Sequence, residues 1–167
     1  LAGGNPGGIG DDSPDTSNTS GVLSHSFGAD GAGAIAWLES DAPTGFTYQA
    51  SGDDLLIKQG TVTVMTLSLD PATGAYTVTQ NAPVAHAAGT NENNQLFTVN
   101  YQVTDSDQDP VTGQLLINVD DDTPTVMTNA LVKLDDDALT GGNPGGTGDA
   151  SPDSENTTGV LSHSFGA

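Results

Sequence analysis

The amino-acid sequence predicts an all-β fold, specifically an immunoglobulin-like antiparallel β-sandwich. Three observations predict it: apolar and polar residues alternate along several short segments, turn-forming residues separate those segments, and no segment shows a sustained helical period. The chain contains no cysteine, so the Cys-Trp-Cys signature of antibody domains is absent. We therefore expect the broader sandwich architecture and not an antibody domain.

Five strand candidates lie in the first half of the chain. Val22–Gly28, Phe46–Ala50 and Leu55–Gln59 are the shorter candidates, and Thr61–Leu69 is rich in Thr and Val. Ala75–Gln80 is a fifth candidate of the same kind. Each has the length of an ordinary strand in a globular protein.

The clearest alternation occurs further along the chain, in Leu96–Asp105 and Val111–Val119. Thr125–Leu134 is an eighth candidate, which follows an acidic run. The residues expected to face the core are Phe97, Val99, Tyr101 and Val103 in the first of these strands and Val111, Leu115, Ile117 and Val119 in the second.

Turn-forming residues separate the predicted strands. Ser51–Asp53 and Asp70–Gly74 combine Gly with Asp, Ser or Pro, and we interpret both segments as hairpin turns. Gly3–Ser20 consists almost entirely of Gly, Pro, Asn, Asp, Ser and Thr. A structureless loop of that length is unusual in a compact domain, so we expect it to be flexible or organised by a bound ion.

The charge balance excludes several classes of partner. Lys and Arg total 2, Asp and Glu total 22, and the formal net charge is −20. Nucleic acid and anionic membrane surfaces would be repelled, and no apolar run approaches the ~20 residues of a membrane span. The absence of cysteine excludes a disulfide framework and a Cys-based zinc site. The acidic residues therefore form either a solvated surface or cation sites.

The sequence contains an internal repeat. Residues 3–29 and residues 141–167 are 27-residue segments that differ at five positions and are offset by 138 residues. This period is the size of a complete domain, so it predicts a tandem array of domains rather than a solenoid. Leu1 opens into a Gly-rich segment without a leader pattern, and we expect targeting information to lie elsewhere in a longer protein.

The repeat suggests how the chain is organised. We interpret residues 1–20 as a Gly- and Asp-rich loop, residues 21–122 as a sandwich repeat, and residues 123–167 as a junction with the start of the next repeat. Thr125–Leu134 could complete this sandwich, belong to the next one or pair with a neighbouring molecule. The sequence leaves these alternatives open.

The strongest candidate site is a calcium site at Asp105, Asp107 and Asp109, directly after a predicted strand. Ca²⁺ binds six to eight oxygens at ~2.3–2.6 Å, and carboxylates at alternate positions of a turn can converge on one ion. The spacing is similar to the start of an EF-hand loop, although the Gly and the distal Glu of that loop are missing. The alternative interpretation is an acidic hairpin turn.

Other acidic segments are further metal candidates. The first is Asp120–Asp122, where Pro124 ends the strand pairing, and a cation there would tie one domain to the next. The second is Asp135–Asp137, for which the alternative is a solvated charge run. The third is the pair Asp11 and Asp12, in a stretch that matches part of the calcium-binding nonapeptide. These candidates are Asp120, Asp121 and Asp122, then Asp135, Asp136 and Asp137, then Asp11 and Asp12, with weaker ones at Glu39, Asp41, Asp53, Asp54 and Glu92.

The sequence argues against an enzyme. It contains no P-loop, dinucleotide fingerprint or His-Glu-x-x-His motif. His25 lies between two serines, but adjacent residues of a strand face opposite ways, and no orienting acid is evident. We expect no catalytic site and no small-molecule substrate.

The segment Phe97–Val126 resembles the tandem repeats of RTX (repeats-in-toxin) adhesins, which are giant bacterial proteins secreted by the type I pathway. Residues 4–8, 24–33 and 77–83 are similar to the same repeat. Members usually carry Gly where Gln108 stands. The resemblance implies an extracellular β-sandwich extender on the bacterial surface, with Ca²⁺ at domain junctions, in a stalk that supports cell adhesion and biofilm formation.

The resemblance implies adjacent repeats of the same chain as partners, and we expect this fragment to be monomeric. The alternative is a carbohydrate- or surface-binding module of the same kind of adhesin. Such sites usually present exposed aromatic rings. The candidates are Trp37, Tyr48, Tyr76 and Tyr101, of which Tyr101 falls on a core face and Trp37 lies in an apolar stretch that favours burial.

Overall fold

The computed structural model describes residues 4–5, 18–89, 93–143, 145–149 and 158–166. The chain divides into two compact units, which we name unit 1 (residues 1–123 with 166–167) and unit 2 (residues 124–165). Among the described residues, no helix is long and apolar enough to span a bilayer.

Unit 1 is an antiparallel β-sandwich, as the sequence predicts. Its strands are β1 (Ser20–Val22), β2 (Ala32–Trp37), β3 (Phe46–Ser51), β4 (Asp54–Gln59), β5 (Val62–Leu69), β6 (Ala75–Gln80), β7 (Gln95–Asp105) and β8 (Pro110–Val119). One sheet has the order β1-β6-β5-β4-β3 and the other has the order β2-β7-β8. Residues of both sheets share one buried cluster, so the core lies between them.

Both predicted hairpin turns are confirmed. Gly52 adopts a left-handed backbone, with φ of 65°, between β3 and β4. In the β5–β6 turn, the Gly74 N–H donates to the Asp70 carbonyl at 2.8 Å, and the Thr73 hydroxyl donates to the Asp70 carboxylate at 2.7 Å. That hydroxyl, followed by the Ala72 N–H, holds the pKa of Asp70 below its ordinary value.

The boundaries of six predicted strands are confirmed to within one residue. The other two predicted strands are confirmed only in part, and one strand of the structure was not predicted. The candidate Val22–Gly28 contributes only its first residue to a strand, because β1 ends at Val22. Strand β2 was not predicted, since its sequence Ala-Gly-Ala-Ile-Ala-Trp lacks both clear alternation and β-branched residues apart from Ile35. It becomes a strand by pairing with β7, a contact distant in sequence.

The predicted core face of β7 is confirmed: Phe97 and Val99 are completely buried, and Tyr101 and Val103 are nearly so. On β8 the prediction is wrong for Val111, which is 60% exposed. Val111 is the second residue of β8, directly after the acidic turn, whereas the buried positions lie further along the same strand. The other predicted positions of β8 are buried or packed against the core, namely Leu115, Ile117 and Val119.

Unit 2 contains one short antiparallel pair, β9 (Thr125–Val126) and β10 (His163–Ser164). The predicted strand Thr125–Leu134 is therefore confirmed only at its first two residues. β9 pairs with the second copy of the internal repeat. Of the alternatives that the sequence left open, this pairing favours the one in which the segment belongs to the next repeat. Large apolar side chains of unit 2 are exposed, including those of Val126, Met127, Leu131, Val132 and Leu134.

Candidate metal centre

The β7–β8 turn and the segment before β2 come together in unit 1. β2 pairs with β7 so that Ala32 lies opposite Asp105, at the end of the ladder. The backbone N–H of Ser106 donates to the carbonyl of Gly31 at 3.2 Å, and the Ser106 hydroxyl donates to the carbonyl of Asp30. These bonds fix the chain before β2 against the acidic turn.

The acidic turn is also held by its own hydrogen bonds. The Asp109 N–H donates to Asp105 Oδ1 at 2.8 Å, and the Gln108 N–H donates to the Asp105 carbonyl at 3.3 Å. Gln108 has a φ of 80°, in the left-handed region that favours glycine. Asp105 therefore organises the turn with both its carboxylate and its carbonyl.

Three carboxylates converge at this turn. One carboxylate oxygen from each of Asp30, Asp105 and Asp107 lies within 4.8 Å of the others. Asp105 and Asp107 were predicted, whereas the carboxylate of Asp109 is not a member of the group. Asp30 was missed, because it comes close to Asp105 only through the pairing of β2 with β7. The adjacent Gly31 marks a turn in the sequence but does not indicate a ligand.

We name the three carboxylates the Asp30 cluster, and within it the pKa values of Asp105 and Asp107 are shifted in opposite directions. Hydrogen bonds from the Asp109 N–H and from the Asp107 side chain lower the pKa of Asp105. The pKa of Asp107 is raised, because its hydrogen bond to Asp105 and the negative charge of Asp105 favour its protonated form. A bound cation would remove this conflict, since it would favour both carboxylates in the charged form.

The Asp30 cluster fits a hard divalent cation. Two oxygens on opposite sides of a Ca²⁺ ion, each at ~2.3–2.6 Å, are separated by up to about 5 Å, which accommodates the 4.8 Å limit within the cluster. Three carboxylates supply three to six of the required oxygens, and water can supply the rest because Asp30 and Asp107 are exposed.

Unit 2 contains a second group of three carboxylates: Asp135, Asp137 and Asp149 each place one oxygen within 4.8 Å of the others. Asp135 and Asp137 were predicted, but Asp136 is not a member. Asp149 corresponds to Asp11 through the offset of 138 residues. Asp11 itself, together with Asp12, lies outside the described residues.

The run Asp120–Asp122 is held by the backbone of unit 1. The Asn5 N–H donates to Asp122 Oδ1 at 3.1 Å, and the Asn93 N–H donates to Asp121 Oδ2 at 3.5 Å. Asp121 Oδ1 also lies 3.9 Å from His86 Nε2. All three carboxylates line a cavity of about 130 Å³. They do not form a convergent group of three among the described residues, unlike the Asp30 cluster.

The weaker acidic candidates have structural contacts. Glu39 accepts a hydrogen bond from the Ala50 N–H at 2.5 Å, and Asp41 accepts one from the Asn100 amide at 2.6 Å. Asp53 lies in the β3–β4 turn, and Asp54 begins β4. Glu92 lies outside the described residues.

The four aromatic candidates for a binding surface are not exposed. Trp37, Tyr48 and Tyr101 are at most 8% exposed, and Tyr76 is partly buried against the core. The prediction that Tyr101 and Trp37 belong to the core is confirmed. The rings of Trp37, Tyr48 and Tyr101 are therefore not available as stacking platforms for a sugar.

The fold and the site define a β-sandwich domain with an acidic corner at one hairpin. The chain belongs to the family described as Domain of unknown function (DUF5801), which matches residues 7–118, more than half of the sequence. No curated protein and no solved structure matches the chain.

Proposed function

We propose that this domain is a non-catalytic structural extender in a tandem array, stabilised by Ca²⁺, and that the array is the stalk of a secreted bacterial adhesin of the RTX type. The observation that carries the proposal is the repetition of 27 residues at an offset of 138. A repeat that begins again after one complete sandwich supports a rod of similar domains. The buried aromatic residues favour this role over the alternative, a carbohydrate-binding module.

The proposed mechanism is stiffening by cations. In the absence of metal, a chain with a net charge of −20 repels itself and neighbouring repeats, and the conflict between Asp105 and Asp107 remains. Ca²⁺ at the Asp30 cluster would tie the chain before β2 to the β7–β8 turn. Ca²⁺ at junction carboxylates would restrict the motion between neighbouring domains. Extracellular modules bind Ca²⁺ with Kd of ~10⁻⁴–10⁻³ M, so the rigidity of the stalk would follow external calcium.

Thermal unfolding with and without Ca²⁺ tests the proposal. The protein is first stripped with chelator, and its melting temperature is then followed as CaCl₂ is added up to about 10 mM, which is 100-fold above a Kd of ~10⁻⁴ M, with MgCl₂ as a comparison. Binding to the folded state alone predicts a saturable rise of about 10 °C at 100-fold excess over Kd. Calorimetric titration of the stripped protein gives the number of ions.

Two variants assign the effect to the Asp30 cluster. Asp30→Asn removes one ligand charge and is expected to lose a large part of the calcium-dependent rise. The matched control Asp53→Asn removes the same charge from an exposed turn outside the cluster, and it should retain the rise. An identical melting temperature in chelator and in Ca²⁺ would refute calcium stabilisation. A rise that Asp30→Asn does not reduce would place the ion elsewhere.

A further inference from the structure

Two identical segments of the chain occur in different settings. Residues 21–29 and residues 159–167 share the sequence Gly-Val-Leu-Ser-His-Ser-Phe-Gly-Ala. In both, Nδ1 of the histidine lies 2.7 Å from the leucine carbonyl two residues earlier. The histidine and phenylalanine rings also meet edge to face in both, with centroids 5.1 Å apart in the first and 4.8 Å apart in the second. The two segments therefore have the same local conformation.

The first segment is an edge of the unit 1 sandwich. It continues from β1, the edge strand of the five-stranded sheet, and the Leu23 N–H donates to the Gly74 carbonyl at 2.9 Å. Leu23 is 3% exposed and Phe27 packs against the core, whereas Ser24 and Ser26 are exposed. The alternation is that of an extended edge segment with one face in the core.

The second segment lacks that core but has a partner strand. Leu161, the counterpart of Leu23, is 75% exposed. β9 pairs with this segment so that Val126 lies opposite His163. The Met127 N–H donates to the Ser162 carbonyl at 3.0 Å, and the Ser162 N–H donates to Asn129 Oδ1 at 2.7 Å.

Among the described residues, no strand pairs with the corresponding edge in unit 1. Because the backbone groups of Leu23 point toward β6, those of Ser24 and Ser26 point away from the sheet. Within the described part of the chain, neither the Ser24 N–H nor the Ser26 N–H donates to another backbone group. The Ser24 carbonyl accepts from the Tyr101 hydroxyl at 2.7 Å, and its second lone pair can accept another bond.

We propose that residues 24–27 are an acceptor edge for a strand with the sequence of Thr125–Asn129, supplied by the preceding repeat of the array. Each sandwich would thus be completed by the residues that follow the acidic run of the repeat before it. The second segment identifies the strand that would bind, because there a segment of identical sequence pairs with Thr125–Val126. In unit 1, the position equivalent to Val126 would lie beside His25, on the core side of the edge. The inference rests on the tandem array of the proposed function but not on calcium.

A synthetic peptide with the sequence of residues 123–134, Thr-Pro-Thr-Val-Met-Thr-Asn-Ala-Leu-Val-Lys-Leu, tests the proposal on the full chain. We expect saturable binding by fluorescence anisotropy. We also expect amide hydrogen exchange at Ser24 and Ser26 to slow by about tenfold or more, because both N–H groups become bonded. A peptide with Asp at the position of Val126 should lose binding, because it would place a charge against the core. Absence of saturable binding would overturn the proposal.

Matched variants locate the binding. Ser26→Pro removes one N–H of the acceptor edge and should abolish the added protection. It changes an exposed residue outside the strands, and circular dichroism verifies that the sandwich is retained. Ser164→Pro makes the equivalent change in the second segment and should leave binding at residues 24–27 intact. Binding that survives Ser26→Pro would overturn the assignment.

The same titration in chelator and in Ca²⁺ separates the two proposals. Peptide binding is expected in both conditions. If it fails while calcium still raises the melting temperature, the strand acceptor is wrong and the calcium-stabilised extender stands. If the peptide binds while calcium does not change the melting temperature, the strand acceptor stands and calcium stabilisation is wrong.

Discussion

The hydroxyl group of Tyr101 donates a hydrogen bond to the backbone carbonyl of Ser24 at 2.7 Å. Tyr101 belongs to β7 in the three-stranded sheet, and Ser24 continues from β1 in the five-stranded sheet, so the bond joins the two layers of the sandwich. Gly113 lies opposite Tyr101 on β8, and a Cβ atom there would overlap the tyrosine ring. The glycine therefore makes room for the side chain that holds the edge segment.

Tyr101→Phe tests the contribution of this bond. The ring stays in the core, but the Ser24 carbonyl loses its partner, so the free energy of unfolding should fall by about 1 kcal/mol. The measurement is urea unfolding followed by tryptophan fluorescence of Trp37. Tyr76→Phe is the control, since the Tyr76 hydroxyl has no hydrogen-bond partner among the described residues, and it should change stability by less than about 0.5 kcal/mol. Equal losses for both variants would contradict the assigned role.

Gln108→Gly should stabilise the domain. Gln108 has a φ of 80°, and a side chain in this region costs about 1–2 kcal/mol relative to the right-handed conformation. Glycine removes that strain but increases the entropy of the unfolded chain, so the expected net gain is about 0.5–1 kcal/mol. The gain is measured by chemical denaturation in chelator. Gln102→Gly, in the middle of β7, is the matched control and should destabilise the protein.

Tyr48 should make stability depend on alkaline pH. Burial, followed by the charge of Asp41, raises the pKa of Tyr48 to about 12. Because the folded-state pKa lies above the unfolded value of about 10, this contribution is complete below pH 10 and is lost as the pH rises toward 12. The loss should amount to about 1–2 kcal/mol after allowance for solvent screening. Tyrosinate absorbance should include a component from Tyr48 that ionises toward pH 12.

The Tyr48 assignment has a specific check. Tyr48→Phe should remove the late-titrating group and reduce the loss of stability between pH 10 and pH 12. Asp41→Asn should lower the pKa of Tyr48, because the second cause of the shift disappears. A tyrosinate titration between pH 10 and pH 12 that Tyr48→Phe leaves unchanged would contradict the prediction.

Asp107→Asn should have opposite consequences with and without calcium. In chelator the variant should be at least as stable as the wild type, because it removes the repulsion that raises the pKa of Asp107. In millimolar Ca²⁺ it should lose a large part of the calcium-dependent rise in melting temperature, because a ligand is missing. Asp109→Asn is the matched control: the Asp109 carboxylate lies outside the Asp30 cluster, so the rise should remain. A loss in both variants would mean that Asp109 also binds the ion.

The alternating segments predicted the strands well where burial on one face dominates, as in β7 and β8. They failed at β2, whose small apolar residues take their extended form from pairing with β7. They also failed at Val111, because alternation reports which face a residue occupies but not how far the core extends along a strand. The spacing of carboxylates located the acidic turn. Of its predicted residues, Asp105 and Asp107 converge with Asp30, whereas Asp109 does not.

The sequence by itself determined the all-β class, the hairpin turns, the repeat and two members of the Asp30 cluster, because alternation, turn chemistry and local spacing are properties of neighbouring residues. Only the tertiary structure decided that Asp30 joins Asp105 and Asp107 while Asp109 does not, and that Thr125–Val126 pairs with the second copy of the repeat. These outcomes depend on which strands become neighbours. That choice is set by burial of the shared core in unit 1 and by backbone pairing across 35 or more residues, which no local pattern encodes.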